Sequence, residues 1–151
     1  MSDFRLRRKV EFRDTDAAGM AHFSMFPVWM EQTEHAFLRE LGFGVHWLVE
    51  GTPAISWPRA SVQCDFLSPL RFEDDFDVRL CVARLGTKSV TYRYEFLRGE
   101  TLIARGSIST VCCEWHSPGG LTSIVIPNWI REKLEPFVET DCPGSEVSEA
   151  S

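Results

Sequence analysis

The residues of this chain best suited to chemistry are two carboxylates, Asp14 and Asp16, in the stretch Glu11-Phe12-Arg13-Asp14-Thr15-Asp16-Ala17-Ala18-Gly19. A few residues on, after Met20-Ala21-His22-Phe23, Ser24 and Pro27 mark the start of an amphipathic helix. The first turn of a helix carries unpaired N–H groups and a partial positive charge. A carboxylate beside such donors can attack a carbonyl carbon, or take a proton from water that does, while the donors hold the oxygen that becomes negative. Two aspartates also stabilise turns by bonding their own backbone. Spacing alone leaves both readings open.

The elements that would position this turn are legible on either side. Phe4, Leu6, Val10 and Phe12 alternate with charged residues, the pattern of a half-buried strand. Arg8 breaks the pattern on the apolar face. The helix is expected from about Ser24 to Leu41, with Ser24 as its N-cap, Pro27 in the first turn and Gly42 as a left-handed terminator. Phe26, Trp29, Met30, Thr33, Phe37 and Leu41 form its apolar stripe, and Glu31 and Glu34 are expected on its solvated side. Residues 43–58 are irregular, with a helical turn expected at His46–Glu50. A second strand opens at Ala54, is expected to meet a bulge, an edge or a break at Pro58, and continues from Ser61 to Leu67. Two alternating strands follow, around Phe76–Val82 and Val90–Phe96, then a long one over 101–115, with turns at Gly86–Ser89 and Arg98-Gly99-Glu100. Alternating strands joined by hairpins predict an antiparallel sheet with one covered face. Pro127 introduces a short helix over Asn128–Phe137.

With these elements in place, Asp14-Thr15-Asp16-Ala17-Ala18-Gly19 and the helix Trp29-Met30-Glu31 to Leu41-Gly42 resemble the opening of the 4-hydroxybenzoyl-CoA thioesterase-like family of hotdog-fold proteins. Asp65-Phe66-Leu67-Ser68-Pro69-Leu70 and the closing strand Ala104–Cys112 are similar to later stretches of that family, so the resemblance spans roughly residues 4–137. It implies an α+β hotdog fold, a five-stranded antiparallel sheet wrapped around a central helix. It implies an acyl-CoA thioesterase, with coenzyme A entering as part of the substrate and no separate cofactor or metal. Hotdog domains of this family form sites at a dimer interface, which implies a homodimer or homotetramer.

On the same resemblance, Asp16 is the catalytic carboxylate, as nucleophile or general base. The backbone N–H groups of Phe23 and Ser24 are the oxyanion donors. His22, Gly19 and Glu31 are candidates for positioning substrate, and Asp14 is structural or solvent-exposed. Trp47 and Trp57 flank the segment expected to border the acyl group. Arg59, Arg84 and Lys88 are candidate contacts for the phosphates of CoA. Family members differ from this chain at Phe23 and Met25, which keeps open a second reading, a non-catalytic module binding acyl-CoA or acyl-carrier protein. The run His22–Pro27 also resembles hotdog dehydratases, although the Asp-Thr-Asp turn speaks against that activity.

Composition narrows the field further. The 151 residues are 44% hydrophobic and 25% charged, an ordinary globular balance with room for a core. A formal net charge of −6 argues against nucleic acid as the partner. No stretch reaches the length of a membrane span, and the basic N-terminus lacks the apolar run of a signal peptide. Five cysteines without a C-x-x-C spacing point to reduced thiols rather than a disulfide framework or zinc site, hence to a cytoplasmic protein. One domain is expected over residues 1–138, followed by an acidic, disordered tail over 139–151.

Overall fold

The computed structural model describes residues 2–43, 54–116 and 119–139. The helical turn expected at His46–Glu50, Trp47, and all of the tail beyond residue 139 lie outside the described residues. Strand β1 (Phe4–Lys9) leads through a 3-10 turn at Phe12–Asp14 to helix α1 (Met25–Glu40). Then come β2 (Ala54–Ser56), β3 (Arg59–Phe66), β4 (Asp75–Leu85), β5 (Ser89–Arg98), β6 (Thr101–Val111), β7 (Cys113–His116), β8 (Gly120–Ser123) and α2 (Asn128–Leu134). Five strands form an antiparallel sheet in the order β1-β4-β5-β6-β3.

The sheet wraps α1, as the alternating patterns require. Along β5, Val90, Tyr92, Tyr94 and Phe96 are buried against the helix while their neighbours face outward. Trp29 packs on Phe76 with ring centroids 4.8 Å apart, and Phe37 lies 5.6 Å from Phe4. Gly106 lets α1 approach β6 closely, because Met30 Sδ occupies the space a Cβ there would need. The helix ends as expected: Gly42 has φ +87°, and the Phe43 N–H reaches back to Leu38 O at 2.7 Å.

Three expectations change. Phe12 does not continue β1 inward; the 3-10 turn rotates it outward, and it is strongly exposed. The long strand expected over 101–115 stops at Val111, because the Cys112 N–H turns to Lys88 O at 2.7 Å. Its remainder, β7, pairs instead with β2 and β8 in a separate three-stranded sheet. Strand β8 had no alternating signature and was not expected. The break at Pro58 does fall between β2 and β3, which therefore belong to different sheets. Strand β3 is an edge of the main sheet, and most of its residues, Val62 and Phe66 among them, are exposed.

Candidate active site

The turn between β1 and α1 is closed by its own backbone. The Asp16 N–H donates to Met20 O at 2.8 Å, and the Gly19 N–H to Asp16 O at 3.0 Å. Gly19 has φ +76°, a conformation a side chain would strain, so glycine is what lets the chain reverse there. Ala21 donates to Leu70 O at 2.7 Å, tying the turn to the segment after β3. Asp14 is buried, its Oδ2 accepting from the Glu11 N–H at 2.9 Å and its carbonyl from the His22 N–H at 2.8 Å. It holds the turn's shape, in line with the structural role expected of it.

Asp16 has a different setting. Its carboxylate is exposed, and Oδ1 accepts from the N–H groups of Ala18 (2.9 Å) and Met20 (3.2 Å). These bonds fix one oxygen and leave Oδ2 without a hydrogen-bond donor among the described residues. Asp16 borders an open cleft of about 380 Å³ whose other walls include Met20, Phe23, Phe26, Phe66 and Leu67. Phe26 and Phe66 meet edge to face at 5.0 Å.

The start of α1 supplies fewer free donors than an isolated helix would. The Met25 and Phe26 N–H groups donate to His22 O and Phe23 O, and Pro27 has none. The Ser24 N–H donates to His22 Nδ1 at 3.2 Å, with Ser24 Oγ 2.8 Å from the same nitrogen. An Nδ1 that accepts leaves Nε2 as the protonated nitrogen of the neutral ring. The Phe23 N–H has no partner among the described residues, and Phe23 lines the cleft. Asp16 and Phe23 therefore line the same cleft, whereas the Ser24 N–H is taken up by His22.

The other candidates lie elsewhere. Gly19 is part of the turn, and Trp57 is packed in the core. Arg84 and Lys88 are exposed beside the β4–β5 turn, and neither lines the cleft. Arg59 opens β3, where its Nη2 bonds Glu31 Oε2 at 3.2 Å and its Nη1 bonds Glu34 Oε1 at 2.9 Å. Glu34 is thus not on a solvated helix face: it is 1% exposed, inside the sheet's wrap. The signal was present, since Met30, Phe37 and Leu38 stand at i−4, i+3 and i+4 from it. Burial pushes the Glu34 carboxyl up, against the pull of Arg59. The phenols of Tyr92 and Tyr94 are raised well above their ordinary value, first by burial and then by the Glu34 charge.

Cysteine offers no alternative nucleophile among the described residues. Cys64, Cys81, Cys112 and Cys113 are free, and burial raises the first three thiols to about 11, about 12 and about 12. No described cluster of His, Cys, Asp and Glu could hold a metal, and no described helix is long and apolar enough to cross a membrane.

Comparison with known proteins bears on the family and the fold. Residues 10–134 match the model of the thioesterase-like superfamily. A 1,4-dihydroxy-2-naphthoyl-CoA hydrolase of Synechococcus sp. (strain WH7803) is 31% identical over 113 residues, 71% of this chain and 74% of the relative. The structure of a gentisyl-coenzyme A thioesterase superposes with a TM-score of 0.71 at 28% identity, covering 84% of this chain and 98% of that one. A 1,4-dihydroxy-2-naphthoyl-CoA thioesterase from Synechocystis shares the fold with a TM-score of 0.74 at 19% identity, over 88% and 96% of the two chains. The chain belongs to the thioesterase-like superfamily and is a hotdog-fold thioesterase.

Proposed function

We propose that this enzyme hydrolyses an acyl-CoA thioester to the free acid and CoA, with Asp16 as the reacting carboxylate. The observation that carries this is that Asp16 and Phe23 line one largely apolar cleft, with neither Asp16 Oδ2 nor the Phe23 N–H partnered among the described residues. The apolar walls suit an acyl or aryl group. In one route Asp16 attacks the thioester carbonyl carbon, the oxygen takes negative charge against the Phe23 N–H, and CoA leaves as the thiolate. Water then cleaves the mixed anhydride and restores the carboxylate. In the other, Asp16 takes a proton from water as it attacks the same carbon, and that proton passes to the leaving thiolate. Both routes place the oxyanion at the helix start. His22 acts as a positioning residue, since it caps the Ser24 N–H and holds the entry to α1.

The acyl-CoA relatives support the substrate class. The exposed edge strand β3 supports a homodimer, because an unpaired row of N–H and C=O groups is satisfied by a second copy. The free thiols accord with a reducing, cytoplasmic setting. A panel of aryl-, short- and long-chain acyl-CoAs, read by thiol release, tests the activity: turnover of at least one class is expected, and none with any acyl-CoA would refute the reading. Sedimentation equilibrium is expected to give twice the chain mass, and a 17.3 kDa species alone would refute the dimer.

A further inference from the structure

The Asp16 cleft has two walls from distant parts of the chain. One is the Asp16 turn and the start of α1, with Met20, Ala21, Phe23 and Phe26. The other is the end of β3 and the segment after it, Phe66 to Leu70. A single seam joins them. The Ala21 N–H donates to Leu70 O at 2.7 Å, Met20 and Arg71 form an isolated antiparallel bridge, and the Phe72 N–H reaches Gly19 O at 3.4 Å. An acyl group held against the second wall keeps its place relative to Asp16 only while this seam does.

The seam runs on into a turn, Arg71 to Asp74, in which Glu73 has φ +68°. A glutamate in that left-handed region is strained, and such strain persists only where the surroundings enforce it. Two of the enforcing bonds come from the backbone: the Arg71 N–H donates to Asp74 Oδ2 at 2.8 Å, and the Glu73 N–H to Val10 O at 3.0 Å. A third comes from across the sheet. Arg98, the last residue of β5, directs Nη1 to two acceptors, Pro69 O at 2.9 Å and Asp74 Oδ2 at 3.2 Å. Nη1 carries two N–H groups, one for each. Pro69 and Asp74 stand on either side of Leu70, Arg71 and Phe72, the residues that meet the Asp16 turn. As an ion pair the contact is worth little, because the Arg98 side chain is 39% exposed. Its geometry, one guanidinium across both flanks of the seam, is the informative part.

We propose that Arg98 is a positioning residue for the hydrolysis: it fixes the wall that receives the acyl group against the turn that carries Asp16. Arg98 does not line the cleft, so it acts through Pro69 and Asp74. The assignment rests on the acyl-CoA reading above.

The test compares kcat, KM and melting temperature of Arg98→Met and Arg98→Lys with the wild type, on the acyl-CoA that the wild type turns over fastest. Methionine keeps the apolar stem and removes both bonds; lysine restores a charged donor. Arg98→Met is expected to lower kcat by about tenfold or more, since a displacement of about 1 Å at a reacting group can cost about a hundredfold. Arg98→Lys is expected to recover most of that loss, and the melting temperature should move little in either. An unchanged kcat in Arg98→Met overturns the assignment, and so does a loss that lysine leaves in full. Hydrogen exchange reads the same claim without turnover. The Ala21 amide, bonded to Leu70 O, is expected to exchange about tenfold faster in Arg98→Met, while the amide of the buried Tyr94 keeps its rate. An unchanged Ala21 rate, or a Tyr94 amide that speeds up equally, overturns the brace. If no acyl-CoA is turned over, the hydrolytic reading fails, and the exchange rates alone decide whether Arg98 holds the two walls together.

Discussion

The two ends of β3 hold two carboxylates in opposite ways. Beside Phe66, Asp16 stands in water, fixed through one oxygen by two backbone N–H groups, on a turn that regular structure only borders. Beside Arg59, Glu34 is sealed under the sheet on the central helix and held by a guanidinium. The first arrangement leaves one carboxylate oxygen open to the cleft. The second gives a charge whose cost must be offset by its partner, which makes it a fixed element of the fold. An exposed carboxylate held only by its own turn can be replaced with little harm to the fold; a clamped one cannot be parted from its partner without cost.

That contrast can be broken deliberately. Arg59→Met leaves Glu34 buried without its partner, and the loss is expected to be about 3 kcal/mol, the lower end of the range for buried pairs because Arg59 keeps some exposure. Adding Glu34→Leu to that variant should recover most of the loss; urea denaturation of the three proteins checks both statements. Next in size, Gly106→Ala forces Met30 off β6 and should cost roughly 1–3 kcal/mol, since the added methyl overpacks a closed core. Gly42→Ala, at φ +87°, should cost about 1 kcal/mol without affecting turnover at the distant cleft.

The smallest effect concerns pH. The carboxyl of Glu34 titrates above its ordinary 4.5 in the folded state. The folded protein therefore keeps that proton longer than the unfolded chain does. The contribution is complete below 4.5 and is lost as pH rises above it. Asp3 has the opposite sign: its hydrogen bond from Arg79 lowers it below 3.8, so its contribution is present above that value and lost as pH falls. Glu34→Gln should flatten the decline of unfolding free energy with rising pH above 4.5 and leave the contribution of Asp3 on the acid side unchanged. An unchanged decline would show that Glu34 is not its source.

Much of this architecture was legible because burial enforces period. The alternation along Phe76–Val82 and Val90–Phe96 and the Gly42 terminator appear as read, and of the three outcomes expected at Pro58 the strand break is the one found. Local bonds that no periodicity encodes decided the rest. The 3-10 turn threw Phe12 outward, and the Cys112 N–H bond to Lys88 split one expected strand into two sheets. Strand β8 is exposed at every position, so it had no pattern to show. Glu34 was read as solvated because a charge outweighed its apolar neighbours, although a sheet that wraps a helix buries more than one narrow stripe. The Asp16 turn was visible as a motif. The capture of the Ser24 N–H by His22, which leaves the Phe23 N–H as the one without a partner among the described residues at this helix start, has no signature in the spacing.

The central claim is that Asp16 performs the hydrolysis and does little else. Its most direct test measures kcat and melting temperature together for the wild type and Asp16→Asn, on whichever acyl-CoA the wild type turns over fastest. The account predicts a fall in kcat of roughly 10²–10⁴-fold, the usual worth of a positioned acid–base group, with a stability change within about 0.5 kcal/mol for so exposed a site. A variant that keeps its turnover, or one that loses it only because it no longer folds, would contradict the claim.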